Sequence, residues 1–175
     1  MKDPGRILLF TGDGKGKTTA ALGMALRAVG HGMPTFILQF MKADPSTGEI
    51  AALKRLPNVE IVQAGLGFAP PPGSPKFPEH AQAARNALAK ASEALASDKY
   101  AMVILDEICN AVARGLLDED RVVQMVEKKP EGMILVLTGR GATDRLIALA
   151  DTVTEMRAIK HGLAEGRKAQ EGVEF

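Results

Sequence analysis

The residues best equipped for chemistry lie in one run, Phe10-Thr11-Gly12-Asp13-Gly14-Lys15-Gly16-Lys17-Thr18-Thr19. Its glycines let backbone N–H groups turn inward, Lys17 brings a full positive charge, and a helix opening behind it adds the partial charge of its N-terminus. Together these cradle the phosphates of a nucleoside triphosphate, with the Thr18 hydroxyl placed to bind Mg²⁺. The usual spacing, G-x-x-x-x-G-K-[ST], would put a glycine where Thr11 stands. The loop therefore reads as a triphosphate loop whose shape need not be that of an ordinary ATPase. Lys15 is either a second phosphate contact or a solvated loop lysine.

A phosphate loop needs a metal partner, and Asp106-Glu107 after the apolar run Tyr100–Leu105 supplies carboxylates in the right context. One takes the metal, directly or through water, and the other shares that duty or orients a nucleophile. Arg140, in Thr138-Gly139-Arg140-Gly141, has a fork of donors suited to phosphate, or is a surface arginine at a turn. Cys109 reads as a small buried side chain, since no histidine is near it in sequence, and His31, His80 and His161 as cap, structural or surface residues. The basic run Arg157, Lys160, Arg167 and Lys168 is a solvated face or a contact for an anionic substrate. No Ser-His-Asp arrangement or histidine pair is present, so the pattern favours tight triphosphate binding over elaborate acid–base work.

The elements that must position these groups follow from periodicity. Apolar runs at 6–10, 34–40, 59–62, 100–105 and 132–137 predict buried strands, with a sixth over 152–156 and one possible edge strand in the tail 166–175. Helical spacing puts Ala21, Leu22, Ala25, Leu26 and Val29 on one face of a helix ending at Gly30-His31-Gly32. Further helices are predicted near 48–56, 78–97, 109–114, 118–128 and 144–150, with Asp118 as an N-cap and Ala84, Leu88, Ala91 and Leu95 as one core stripe. Alternation of strand and helix predicts an α/β fold: a single-domain P-loop protein with a mostly parallel sheet and helices on both faces, spanning 1–175. Ligands of such sheets bind beyond the carboxyl ends of the strands. The phosphate loop, Gln39-Phe40, Asp106-Glu107 and Thr138-Gly139-Arg140 all fall there and should converge.

Between 63 and 78 the chain carries five prolines and three glycines, which forbid regular structure. Leu66, Phe68 and Phe77 make this loop either an apolar binding surface or a segment packed on its own domain.

Composition sets the frame. A 175-residue chain with 46% hydrophobic and 25% charged residues suits one soluble domain. A net charge of +1 argues against a large nucleic-acid footprint, and no apolar run is long enough to span a membrane. The first residues show no signal-peptide pattern, and a single cysteine fits a reducing cytoplasm.

At this point the motifs resemble those of the ATP:corrinoid adenosyltransferases. Thr11 to Gly23, Leu105-Asp106-Glu107, Leu137 to Gly141, Ala150 to Arg157 and Lys168 to Phe175 carry the resemblance, in family order. It implies transfer of the 5′-deoxyadenosyl group of ATP to the reduced cobalt of a corrinoid, releasing triphosphate, in adenosylcobalamin biosynthesis or salvage. By motif match, Gly12, Asp13, Gly14, Lys15, Gly16, Lys17, Thr18 and Thr19 would hold ATP, and Thr18, Glu107 and Asp106 would hold Mg²⁺ or Mn²⁺. Lys17, Arg140 and Glu107 would be the catalytic set, with Arg140 at the phosphates. The resemblance also implies a RecA-like fold with ATP bound in the reverse sense along the loop, a homodimer, and a flavoprotein as reductant. Gly67-Phe68 matches a family motif that continues Thr-Trp, so Phe68 would face the corrinoid, with Ala69-Pro70 in place of the second aromatic. A P-loop ATPase or kinase, and a non-enzymatic protein binding ATP and corrinoid, remain the alternatives.

Overall fold

Every described strand is short, four to six residues, and runs parallel to its neighbours. A computed structural model describes residues 4–173; Met1 to Asp3 and the tail residues Glu174 and Phe175 lie outside it. The strands are β1 (Arg6–Thr11), β2 (Thr35–Gln39), β3 (Val59–Gln63), β4 (Met102–Asp106), β5 (Ile134–Thr138) and β6 (Thr152–Glu155). They form one six-stranded parallel sheet in the order β3-β2-β4-β5-β1-β6. The helices are α1 (Lys17–Gly30), α2 (Gly48–Leu53), α3 (Phe77–Ala96), α4 (Ile108–Ala113), α5 (Glu119–Glu127) and α6 (Asp144–Leu149).

Two cores, one on each face, follow from the period of two along a strand. Phe36, Leu38, Val103, Leu105, Leu135 and Leu137 pack with α3, α4, α5 and α6 on one face. Ile37, Met102, Ile104 and Val136 point the other way, toward α1 and Leu53 of α2. The α/β class with helices on both faces is thus as the sequence implied. Truncating a fully buried side chain such as Ile104 to Ala would cost about 2–5 kcal/mol.

α1 meets the sheet through Ala21, Ala25 and Ala28, whose small side chains bring the helix axis close. That narrow stripe corrects the wider one read from periodicity: Leu26 is 60% exposed. An i, i+4, i+7 row of alanines already fills the contact, and Leu26 sits a hundred degrees further round the helix. α1 ends as expected, with His31 at the cap and Gly32 at φ 69. The Asp118 cap is also present, its carboxylate accepting from the Arg121 N–H at 3.3 Å.

Two further boundaries differ. α2 stops at Leu53 rather than running to residue 56, and no strand forms between 166 and 173. Instead of pairing with exposed β6, the tail turns so that Gly172 and Val173 line the cavity beside the phosphate loop. Among the described residues no helix is long and apolar enough to cross a membrane.

Candidate nucleotide-binding site

Register places four polar side chains in one row at the carboxyl edge of the sheet. Gln39 of β2 lies opposite Gln63 of β3 on one side and Asp106 of β4 on the other. Gln39, Asp106 and Thr138 share the parity of Ile37, Ile104 and Val136, so they project on the α1 face, where Thr18 waits. A slip of one residue in any strand would send its member to the opposite face.

The hydrogen bonds of this row are dictated by Asp106, which is fully buried and, ionised, only accepts. Its Oδ1 receives the hydroxyls of Thr18 at 2.8 Å and Thr138 at 2.7 Å. Its Oδ2 receives Gln39 Nε2 at 3.1 Å, so the carbonyl of Gln39 must face Gln63, whose Nε2 donates to it at 3.0 Å. Thr138 Oγ1 in turn accepts the Glu107 N–H at 2.9 Å. Asp106 is thereby held behind Thr18 by three hydrogen bonds.

Glu107, one residue on, points into the cavity. Its backbone is left-handed, φ 65, which costs a non-glycine residue roughly 1 kcal/mol or more. The twist turns the chain from β4 into α4 while Asn110 Nδ2 holds the Glu107 carboxylate at 2.9 Å.

The phosphate loop is stitched to the sheet beyond β1. Gly14 N–H donates to the Met156 carbonyl at 2.6 Å, and a Cβ on Gly12 or Gly14 would fall 2.4 or 2.6 Å from that oxygen. These glycines are therefore required by close backbone approach as well as by the inward N–H groups. Gly16, at φ 106, caps α1. Thr11 also has a use: its hydroxyl accepts the Ala142 N–H at 3.3 Å, tying the loop to the segment that carries Arg140. Gly139 lets that segment lie against α4, since a Cβ there would meet Asn110 N at 2.6 Å.

Lys17 is buried, and its ammonium donates to the carbonyls of Gly12 at 2.7 Å and Gly14 at 2.6 Å. Burial pulls its pKa below the usual lysine range; Glu107 opposes that and Arg140 adds to it.

These groups enclose a cavity of about 480 Å³ lined by Gly14 to Thr19, Leu22, Lys42, Gly48, Glu49, Glu107, Arg140, Gly172 and Val173. Four cationic side chains against two anionic ones make it a site for a polyanion, in a chain whose net charge is only +1. The sequence reading placed Gly14, Lys15, Gly16, Lys17, Thr18, Thr19, Glu107 and Arg140 here, and the structure brings them together. Gly12 and Asp106 stand just behind the lining, while Asp13 faces a separate hollow with Glu155 and Arg157. Phe68 lies outside the cavity and is 97% exposed. Sequence reasoning brought Gln39 to the converging strand ends but gave no role to Lys42, Glu49 or Gln63, which it left in loops or on a short helix.

The donors fit Mg²⁺: hard oxygens, few carboxylates, and room for phosphate and water to complete an octahedron. Among the described residues there is no cluster of three His, Cys, Asp or Glu side chains that would form an all-protein metal cage. Cys109 is fully buried and its thiol is pushed up to about 12 by burial, so it is no nucleophile. Of the C-terminal basic run, Lys160 and Arg167 pair with Glu165 at 2.8 and 3.7 Å.

A parallel sheet with this loop at the end of β1 and a buried carboxylate at the end of β4 defines an α/β protein of P-loop type. Comparison with known sequences narrows it. Residues 3–175 match the family described as ATP:corrinoid adenosyltransferase BtuR/CobO/CobP, and the chain belongs to that family. It is 41% identical to the corrinoid adenosyltransferase of Pseudomonas aeruginosa, over 98% of this chain and 84% of that protein. The corrinoid adenosyltransferase of Escherichia coli K12 is 39% identical over 98% of this chain and 86% of its own. The corrinoid adenosyltransferase CobA of Salmonella typhimurium is 37% identical over 100% and 88%.

Proposed function

We propose that this protein transfers the 5′-deoxyadenosyl group of ATP to the reduced cobalt of a corrinoid, with intact triphosphate as leaving group, in making or salvaging adenosylcobalamin. The observation that carries this reading is the convergence of Gly14 to Thr19, Glu107 and Arg140 on one cationic cavity in a chain that matches the family from end to end. The reaction asks little acid–base work of the protein. Cobalt brings its own electron pair to the 5′ carbon, so the site has to hold the triphosphate, shield its charge and aim the ribose.

In this reading the inward amides of the loop and Lys17 cradle the triphosphate, and Arg140 contacts it from the opposite wall. Glu107 and the Thr18 hydroxyl hold Mg²⁺ or Mn²⁺, which when bound neutralises phosphate charge. Asp106 fixes the Thr18 proton and leaves its lone pairs toward the cavity. Phe68 offers its ring to the corrinoid. We further assign one catalytic unit over 1–175, working in the cytoplasm as a homodimer, with a flavoprotein as the source of reduced cobalt.

The test is anaerobic incubation of protein, ATP, Mg²⁺ and a chemically reduced corrinoid. A cobalt–carbon bond forming with one triphosphate per corrinoid supports the proposal. ADP and phosphate without a spectral change would mean an ATPase, and binding of both ligands without turnover would mean a carrier.

A further inference from the structure

Lys42 stands three residues beyond β2, on the wall of the phosphate cavity, and has no place in the loop motif. Its ammonium is 3.4 Å from Glu49 Oε1 and 3.6 Å from Asp106 Oδ2, and its side chain is 30% exposed. Both distances exceed the roughly 2.7–2.9 Å of a well-made charge-assisted hydrogen bond. Lys17 is held at 2.6 and 2.7 Å by carbonyls of the loop itself. Lys42 is held loosely by two carboxylates.

Neither carboxylate holds it tightly. Asp106 already takes three hydrogen bonds, from Thr18, Thr138 and Gln39, and Lys42 reaches it only as an ion pair at 3.6 Å. A lysine parked between two acids, with one long hydrogen bond to Glu49, two further ammonium protons to give and an anion-binding cavity in front of it, is a cation in reserve.

We propose that Lys42 is a further catalytic residue: its ammonium leaves Glu49 and Asp106 for the triphosphate of bound ATP and stabilises the charge that the triphosphate gains on departure. This rests on the adenosyl-transfer reading. In that reaction the cobalt electron pair forms the cobalt–carbon bond, the C5′–O bond breaks, and its pair stays on the α-phosphate oxygen. No proton moves, cobalt is oxidised by two electrons, and the triphosphate leaves one unit more negative than it was within ATP. A cation that gains more from the product than from the substrate lowers the barrier; one that binds both alike only lowers KM. The two acids keep Lys42 in the site until a stronger polyanion draws it off.

The experiment compares Lys42→Met and Lys42→Arg with the unaltered protein. Lys42→Met keeps the aliphatic stem and removes the charge. It should lower kcat for adenosyl transfer about 10- to 100-fold, as loss of one transition-state donor does, with KM for ATP within about threefold. Calorimetry with inorganic tripolyphosphate and Mg²⁺, in the absence of any corrinoid, should show affinity weakened at least about tenfold in Lys42→Met and largely restored in Lys42→Arg. Glu49→Gln, which removes one resting partner, should bind tripolyphosphate more tightly than the unaltered protein. Unchanged kcat and unchanged tripolyphosphate affinity in Lys42→Met overturn the proposal. So does a loss that tracks a fall in thermal stability and is not restored by arginine, since that marks a structural role. If the unaltered protein makes no adenosylcorrinoid, the functional reading fails, whereas the tripolyphosphate titration still decides whether Lys42 meets the triphosphate.

Discussion

Thr18 and Asp106 are 88 residues apart in sequence, yet the threonine hydroxyl donates to the buried carboxylate at 2.8 Å. That bond joins the phosphate loop to the carboxylate strand across β5, which lies between β1 and β4. It also decides what the hydroxyl can do: with its proton committed to Asp106, the oxygen offers lone pairs to the cavity.

The first prediction concerns that carboxylate. In Asp106→Ala the two threonine hydroxyls and the Gln39 amide lose their acceptor, and we expect destabilisation of about 3 kcal/mol in urea unfolding. Asp106→Asn should cost about 1 kcal/mol or less. The asparagine amide would face Gln39 Nε2, but a flip of Gln39 followed by a flip of Gln63 restores every bond in the row. Equal losses in the two variants would show that the charge of Asp106, rather than its bonding pattern, holds the row.

Much of this was legible in the sequence. Apolar runs marked the first five strands, and the rule that ligands gather at carboxyl ends brought Lys17, Thr18, Glu107 and Arg140 together. What stayed hidden depended on pairings between distant strands. Nothing in the order of residues says that Gln39 stands between Gln63 and Asp106, because register across crossovers is set by the packing of both sheet faces. Lys42 was unread for the same reason: a lysine in a loop carries no period. Leu26 was misplaced because an apolar residue on an amphipathic helix says nothing about how narrow the contact is. Small alanines at 21, 25 and 28 had already filled it.

Two glycines should respond in opposite directions. Gly14→Ala puts a Cβ 2.6 Å from the Met156 carbonyl, so the loop must leave β6. We expect ATP affinity to fall more than about tenfold and stability by about 1–3 kcal/mol, read by calorimetry and thermal unfolding. Gly23→Ala lies mid-helix in α1 with nothing within 4 Å of the new Cβ. It should stabilise the fold by up to about 1 kcal/mol through helix propensity and leave ATP binding unchanged.

Cys109 gives a pH dependence whose sign follows from burial. Its thiol rises from the ordinary 9.0 to about 12 in the folded protein, burial being the main cause and Glu107 adding to it. Below pH 9 the thiol is protonated whether folded or unfolded, and it contributes no slope. Above that, the unfolded chain ionises first, so stability is lost as pH climbs from 9 toward 12, by at most about 1.4 kcal/mol per pH unit from this group. Urea midpoints of the unaltered protein and Cys109→Ala should therefore converge between pH 8 and 10.5. Thiol reagents should label Cys109 only on unfolding, and rapid labelling of the native state would contradict its burial.

Phe68 is the most exposed large apolar side chain among the described residues, and folding alone does not account for it. It is 97% exposed, while Ala69 beside it is buried and has its carbonyl held by Arg114 Nη1 at 3.0 Å. The loop is therefore anchored one residue away from a ring turned to solvent. Phe68→Ala removes no buried contact, so unfolding free energy should change by less than about 0.5 kcal/mol, with KM for ATP unaltered. If the ring covers the corrinoid, its loss forfeits about 1.5–3 kcal/mol of apolar burial, which is a rise of roughly 10- to 150-fold in KM for the corrinoid. Phe68→Trp, with a larger face, should lower that KM below the value of the unaltered protein. A corrinoid KM indifferent to both changes would remove the 64–76 loop from the docking surface while leaving the nucleotide site as described.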